Sequence, residues 1–540
     1  MKILSKNSSL EDSLEKMTQT LESVGSKITF AEEKHPLTNC FSVNLSSNDA
    51  PKHLYSNGKG TCSKASVVSA IGEYIERLQT NNFFIEFYIP NKEAYPDQKL
   101  FSFDEEYLDK DLAKFYNKDN AFEAKDFIDY HSDYFDKIVS LPFVNLSTNK
   151  KAYLPINLTH NLYVSNGLAT GNTPKEAQVQ SLSEIFERYV KIAIIKEGYS
   201  LPSFPKDVLK SFTKLNEDIK ALEDLGYIIE VLDCSFEGKF PVTAISLINP
   251  KTSTLFVSFG AHPILEVSLQ RTMTELMQGR DLSDLSTFEK PSFNKELIQT
   301  NSNIESHFID SNGKIGFEFL SAKKTFSYTP WVYKGKNTDE EHEYLINIIK
   351  TMKKEIYIRE YDYLGFYSCQ IIVPSVSEVY PLEDMIYNNT NAGKLLRDMI
   401  LNFKDYNPEE ILDEIETYDN NLNIEKYIGV IFKNNFTICD FKAQLNLMLG
   451  NYEEAIELFE MSTAPLAYLL AQLTRMYIDE TSWEDYEEAL NNVFTKEKVE
   501  QATKIFNGEE DFIKVDYHQD YLNILDLYDR LAIKKSKIKS

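Results

Sequence analysis

Val67, Ile71, Tyr74, Ile75 and Leu78 recur with helical spacing, and Ser69, Glu73, Glu76 and Arg77 run between them. On a 3.6-residue period the two sets take opposite sides of one helix. The chain writes this pattern three times. Leu182, Ile185, Phe186 and Tyr189 oppose Glu176, Gln180, Glu184 and Glu187, and Leu269, Met273, Leu276 and Met277 oppose Arg271, Glu275 and Gln278. The polar residues Ser69/Glu73/Glu76, Gln180/Glu184/Glu187 and Arg271/Glu275/Gln278 each stand at i, i+4 and i+7. The first two sets close with Arg77 and Arg188 in a Glu-x-x-Glu-Arg.

The same periodicity predicts a leading helix within residues 1–30, with Ser9 and Asp12 near its cap, and a helix over 63–81 after the turn Ser56-Asn57-Gly58-Lys59-Gly60. Strand patterns fall on Phe84–Ile89, Tyr227–Leu232, Pro241–Ile248, Leu255–Phe259 and Gln370–Val373. Mixed helices and strands over 1–400 predict an α/β (α+β) body with pseudo-duplicated helix–strand halves. From Met399 onward the chain is helical and acidic and proline becomes rare, which sets 401–540 apart as an all-α domain. There Leu449-Gly450-Asn451-Tyr452 with Ala455 reads as the turn and second helix of a tetratricopeptide-like unit. The basic end, Lys534 to Ser540, reads as a frayed tail.

Any one stripe is what a solvated surface helix shows. The first two, however, recur with their context. Ser56-Asn57-Gly58 and Ser165-Asn166-Gly167 precede Glu73 and Glu184 at similar spacing, as expected of two related half-sites facing each other. Two carboxylates about 5 Å apart repel by roughly 3 kcal/mol at an effective dielectric near 20. A cluster of them persists where cations neutralise it, and all-oxygen ligands select hard ions such as magnesium, which bridges protein carboxylates to phosphates. Thr173-Pro174-Lys175-Glu176 also reads as a capping box, and the Gly171-Asn172 turn before it could offer backbone N–H groups to a phosphate. No Walker, kinase or dinucleotide sequence occurs.

The 540 residues carry a net charge of −26, which disfavours direct nucleic-acid binding. A hydrophobic fraction of 42% supplies a sizeable core. The five cysteines and eight histidines are scattered without metal-binding spacing. With no apolar run long enough for a membrane span and no signal core, the expected location is the cytoplasm.

The residues Ser69-x-x-x-Glu73-x-x-Glu76-Arg77, Ser165-Asn166-Gly167, Gly171-Asn172-Thr173, Glu184-x-x-Glu187-Arg188 and Arg271-x-x-x-Glu275-x-x-Gln278-x-Arg280 occur in the order that marks the YcaO family. The chain resembles its stand-alone enterobacterial-type members with a helical C-terminal extension. The resemblance implies ATP held with magnesium and without a P-loop. It implies Glu73, Glu76, Glu176, Glu184 and Glu187 as metal ligands. ATP contacts would come from Ser69, Asn172, Gln180, Arg188, Arg271 and Glu275, and from Lys6 and Ser13 of the leader Lys-x-x-x-Leu-Glu-Asp-Ser. Ala169 stands where a phosphate-side Ser is expected, and Thr170 is the available substitute. Family chemistry is ATP-dependent activation of a peptide amide oxygen, on a peptide or protein substrate. The subgroup is linked to β-methylthiolation of a small-subunit ribosomal protein as an accessory to the radical methylthiotransferase RimO, and a homodimer is implied. A metal-dependent phosphohydrolase, or a non-enzymatic adaptor working through the helical region, would use the same features.

Overall fold

All three stripes are helices, Ser63–Gln79, Pro174–Glu197 and Leu265–Met277. They belong to a computed structural model that describes residues 3–48, 50, 54–93, 95–309, 313–387 and 392–537. Each helix follows the last strand of an antiparallel sheet and folds back on it. Tyr55–Gly60 pairs with Cys40–Ser47, whose other edge carries Ile28–Phe30 and Lys34–Leu37. Leu168–Gly171 ends a sheet that runs Lys99–Ser102, Lys137–Asn145, Tyr357–Tyr361, Tyr367–Ile372, with Lys151–Pro155 also on Lys137–Asn145. Thr254–Ala261 pairs with Val242–Asn249, which pairs with Ile228–Asp233.

Glycine makes these strand–helix units close. A Cβ on Gly58 would fall 1.9 Å from the Ser66 carbonyl oxygen, and one on Gly260 would fall 2.8 Å from that of Ser268 and 2.6 Å from the Thr272 nitrogen. Gly60 and Gly171 share a second position, where a Cβ would strike Ser66 N at 2.8 Å and Ala177 N at 2.6 Å. Hydroxyls repeat as well: Ser56 donates to the Ala70 carbonyl at 2.8 Å, and Ser258 to that of Thr272 at 2.9 Å. Contact by contact, Gly58 therefore corresponds to Ala169 and Gly260. The Ser-Asn-Gly triplet is not the repeat. Gly167 lies ahead of its strand at φ +83, where a Cβ would meet the Ile371 carbonyl oxygen at 2.1 Å. The repeat has three copies, and Ser69, Gln180 and Arg271 occupy one position in it.

The stripes bury the side the periodicity chose. Ile71, Tyr74, Ile75 and Leu78 are buried, as are Leu182, Ile185, Phe186, Leu269, Met273, Leu276 and Met277. The leading helix spans Leu10–Ser23, with the Ser9 hydroxyl accepting from Asp12 N at 3.1 Å. Met1 and Lys2, the first residues of the chain, lie outside the described set. The segment Phe84–Ile89 is not a strand. A 3-10 turn, Asn82–Phe84, opens it, and its amides go to single distant carbonyls, Tyr88 N to Gly429 O and Ile89 N to His131 O. Phe84, Phe87 and Ile89 are buried and Glu86 is exposed, but a local turn bond, Phe87 N to Phe84 O, and these single contacts take the amides that a strand ladder would need.

Residues beyond 400 are helical, and Gly450 at φ +76 separates Ile438–Leu449 from Tyr452–Met461, with Ala455 fully buried between them. These helices share a core with the first stripe. Ile71, Tyr74, Ile75 and Leu78 pack in one cluster with Ile411, Ile415, Phe441, Ile524, Leu527 and Leu531. Tyr521 and Tyr528 donate their hydroxyls to the Tyr88 and Glu93 carbonyls at 2.7 and 2.9 Å. The basic tail is not frayed where it is described. Helix Gln519–Ser536 carries Lys535 inward, where its ammonium donates to the Asn81 side-chain oxygen and lies 5.0 Å from the centre of the Tyr95 ring. Residues 538–540 lie outside the described set. Among the described residues no helix is long and apolar enough to cross a membrane.

Candidate functional site

The polar sides of the three helices face one another across a cleft and not bulk solvent. The Glu76 side chain is 12% exposed and that of Glu184 25%. Arg271 donates to the Ala261 carbonyl at 3.1 Å and to the Gln180 side-chain oxygen, tying the third helix to the second. Glu73 and Glu76 of the first helix each feel the charge of Glu184 on the second. Arg188 pairs with Glu184 at 2.8 Å, and Arg77 lies 3.5 Å from Glu73 and 3.7 Å from Glu76. Lys191, one turn past Glu187, donates to the His307 carbonyl at 2.7 Å.

Crowded carboxylates in a recess hold their protons more tightly, because burial and like charges both disfavour ionisation. Burial first, with Glu73 and Glu184 adding to it against Arg77 and Arg188, pushes Glu76 up to about 8. Burial likewise raises Glu73 and Glu187 against the pull of nearby cations. Burial draws Lys191 down to about 8, although Glu187 opposes it. Among the described residues no three acidic, His or Cys side chains stand close enough to hold a metal ion among themselves.

A second cluster gathers where the second helix begins. Thr173 caps it by accepting from Glu176 N at 3.3 Å. The Glu176 carboxylate turns to the N-terminal segment instead of completing a capping box. It takes the Asn7 amide at 2.8 Å, the Lys6 ammonium at 3.3 Å and the Asn172 side-chain amide at 3.0 Å. Ser13 donates to the Asn172 oxygen at 2.9 Å. Lys6, Ser13, Asn172 and Glu176 thus form one bonded group.

Other expected residues are placed less centrally. Ser69 is exposed on the cleft side of its helix. The Thr170 hydroxyl is engaged with Ser368, and its methyl packs 3.7 Å from where a Cβ on Gly72 would stand. Arg280 leaves the cleft, donating to the Leu276 carbonyl at 3.1 Å at the helix C-terminus and stacking 4.8 Å from the Phe256 ring.

Two features escape the sequence reading. Lys59 reaches from its strand into the cleft and pairs with Glu275. Its position in the strand–helix repeat, between Gly58 and Gly60, is the signal that marks it. The other is a latch on the N-terminal segment. His262 accepts the Ile264 amide on Nδ1 at 3.0 Å, which leaves the proton on Nε2, 2.8 Å from the Ser5 hydroxyl. Ser5 in turn donates to Glu341 at 2.5 Å and sits at φ +63, a left-handed conformation unusual for serine. Nothing local in the sequence links residues 5, 262 and 341.

Three glycine-seated helices turning carboxylates and arginines into one cleft, without a P-loop, make a recess for a polyanion and the cations that accompany it. The chain belongs to the YcaO family. The model described as YcaO cyclodehydratase, ATP- and Mg2+-binding, matches residues 57–377, and that of the YcaO cyclodehydratase C-terminal domain matches 393–540. The chain is similar to the Ribosomal protein S12 methylthiotransferase accessory factor YcaO of Escherichia coli K12, 39% identical over 477 residues, covering 84% of this chain and 81% of that one. It is also similar to an uncharacterized protein of Haemophilus influenzae, 36% identical over 537 residues, covering 93% and 91%. A distant structural likeness is to YcaO from Methanopyrus kandleri bound with AMPPCP and Mg2+, at a TM-score of 0.44 and 16% identity, covering 70% of this chain and 94% of that one.

Proposed function

We propose that this chain binds and hydrolyses ATP with magnesium in the three-helix cleft, and so activates a peptide amide in support of β-methylthiolation of a small-subunit ribosomal protein by RimO. The observation that carries the reading is the convergence of Glu73, Glu76, Glu184 and Glu187 with Arg188 and Arg271 in one recess of a YcaO-family chain. The donor set fits the ion. These are hard oxygen donors whose ionisation is resisted by burial and crowding, a strain that a divalent cation relieves. Glu73, Glu76, Glu184 and Glu187 would hold magnesium, which would supply the positive charge that lets them face a triphosphate.

Magnesium bound there would screen the triphosphate from the carboxylates and stabilise charge on the transferring phosphoryl group. The chain's own residues do the positioning. Arg271, held by Gln180 and the Ala261 carbonyl, and Arg188, held by Glu184, present guanidinium groups to phosphate oxygens. Asn172, oriented by Ser13 and Glu176, faces the same anion from the helix N-terminus, with Lys6 beside it. Glu176 serves this group as a positioning carboxylate as readily as it would serve a metal. The protein acts on a peptide or protein substrate, in the cytoplasm and as a homodimer.

Calorimetry with ATP tests the site: binding is expected with magnesium and absent with a chelator, and equal affinity in both would remove the metal bridge. Glu187→Gln keeps shape and removes one charge. The metal-free protein should then be as stable or more stable, while magnesium-dependent phosphate release falls about ten-fold or more. Unchanged release would take the stripes out of the active site. A small-subunit ribosomal protein that keeps its mass when this chain is deleted would end the methylthiolation reading.

A further inference from the structure

We propose that Lys59 is a built-in counter-cation, holding the place of magnesium in the nucleotide-free cleft and passing to the triphosphate when the metal arrives with ATP. The inference rests on the cleft being the Mg-ATP site. Lys59 lies in strand Tyr55–Gly60, opposite Ser42, and its ammonium crosses to Glu275 on the third helix. The charges acting on it come from all three helices: Glu73 from the first, Glu187 and Glu184 from the second, and Arg271, opposing, from the third beside Glu275. It is therefore placed among the carboxylates assigned above to the metal.

The strand–helix repeat makes the position specific. Gly60 and Gly171 are equivalent, as are Gly58 and Gly260, so the residue at the place of Lys59 is Thr170 in the second copy and Ala261 in the third. Only the first copy sends a charge inward there. The arginines do not supply the same service. Arg77 and Arg188 are paired along their own helices, and Arg271 is pinned by a carbonyl and an amide oxygen. Among the cations beside Glu73, Glu184 and Glu187, Lys59, on four rotatable carbons and with a third of its side chain exposed, combines a carboxylate partner on another element with room to move; Lys6 is as free but pairs with Glu176 in the second cluster. A divalent ion among Glu73, Glu184 and Glu187 would repel the ammonium, and the bound phosphates are the nearest anionic destination.

Two affinities should move in opposite directions. Lys59→Met should bind manganese without nucleotide about ten-fold more tightly than the wild type, because a competing cation is gone. The same variant should bind ATP in magnesium about ten-fold more weakly, because a phosphate partner is gone. Lys59→Arg, which keeps the charge, should stay within about two-fold of the wild type in both. Manganese affinity unchanged or weakened in Lys59→Met overturns the inference. A wild-type protein that binds no ATP in magnesium overturns the functional reading instead, and leaves the manganese comparison standing. Amine acylation of Lys59 in the wild type, followed by mass spectrometry, needs no variant to fold. Magnesium alone should speed it by freeing the ammonium from Glu275, and magnesium with ATP should slow it again. A rate that ignores both overturns the proposal.

Discussion

The guanidinium of Arg271 donates to the side-chain oxygen of Gln180, joining two helices whose polar stripes occupy matching positions in their strand–helix units. The third member at that position, Ser69, is too short to join them and stands exposed. At this position the second and third helices are tied to each other, while the first unit reaches the third helix through Lys59 and Glu275. Gln180→Ala should leave Arg271 charged and held by the Ala261 carbonyl alone, weakening ATP binding in magnesium by about 1–2 kcal/mol with little change in melting temperature. Calorimetry and a thermal melt together check this, since a purely structural bond would lower the melt and spare the affinity.

Glu76 makes the metal-free protein sensitive to pH. Its folded-state value, near 8, lies above the ordinary carboxyl value of 4.5, so the fold retains a proton that the unfolded chain releases. Stability from this group is complete below about pH 4.5 and drains away as pH rises toward 8, by at most about 5 kcal/mol. Chemical denaturation from pH 5 to 8.5 should show this fall, Glu76→Gln should reduce it and leave the part due to Glu73 and Glu187, and saturating magnesium with ATP should reverse it.

Gly260 leaves no space for a methyl group. A Cβ there would lie 2.4 Å from the Thr272 hydroxyl and 2.6 Å from its backbone nitrogen. Gly260→Ala should lift helix Leu265–Met277 off its strand at a cost of about 2–4 kcal/mol, and displace Arg271 and Glu275 with it. Gly279→Ala is a fair comparison for added bulk in a glycine with open surroundings, although its φ of +71 brings a smaller strain of its own. Melts of the two variants should differ by several degrees, with the loss of ATP affinity confined to Gly260→Ala.

The Ser5 latch should appear in ATP affinity. Ser5→Ala removes both the acceptor for His262 and the donor to Glu341. With Lys6 adjacent, the N-terminal segment should sample more positions, raising KM for ATP about five-fold while kcat stays within about two-fold. A fall in kcat alone would place the latch elsewhere in the reaction.

The helical region should not come away cleanly. Urea unfolding of the full chain should give one transition with coincident fluorescence and circular dichroism, and limited proteolysis should yield no stable 1–400 fragment. Lys535→Met should raise the melting temperature. Burial in the aromatic pocket beside Arg359 holds the Lys535 ammonium well below its usual range, and a neutral chain of similar length removes that cost.

Local periodicity made the stripe helices legible, because each buries one face, and apolar runs marked the four strands Ile228–Asp233, Val242–Asn249, Thr254–Ala261 and Tyr367–Ile372; the strands ahead of the first two stripes, Tyr55–Gly60 and Leu168–Gly171, carry too few apolar residues to stand out. Periodicity failed at Phe84–Ile89, where turn bonds and single carbonyls of Gly429 and His131 take the amides in place of a neighbouring strand. It also misplaced the repeat, since Gly167 and Gly58 share a triplet but not a packing role. Charge clustering led to Glu73, Glu76, Glu184 and Glu187. It passed over Lys59, because a lysine between two glycines looks like a turn until the strand carries it into the cleft. The Ser5–His262–Glu341 contact joins parts of the chain that only the finished fold brings together.

The core shared by helix Ser63–Gln79 and helix Gln519–Ser536 also sets a timetable for biosynthesis. A chain emerging from the ribosome makes Glu73 and Glu76 early, but the apolar back of their helix is covered only when the last helix has been translated. Until then the first third of the ligand cleft is seated only on its own strands and the leading helix, so full nucleotide binding waits for helix Gln519–Ser536. A nascent or truncated copy would offer the carboxylates without the geometry, and cellular ATP would find no competent fragment to occupy.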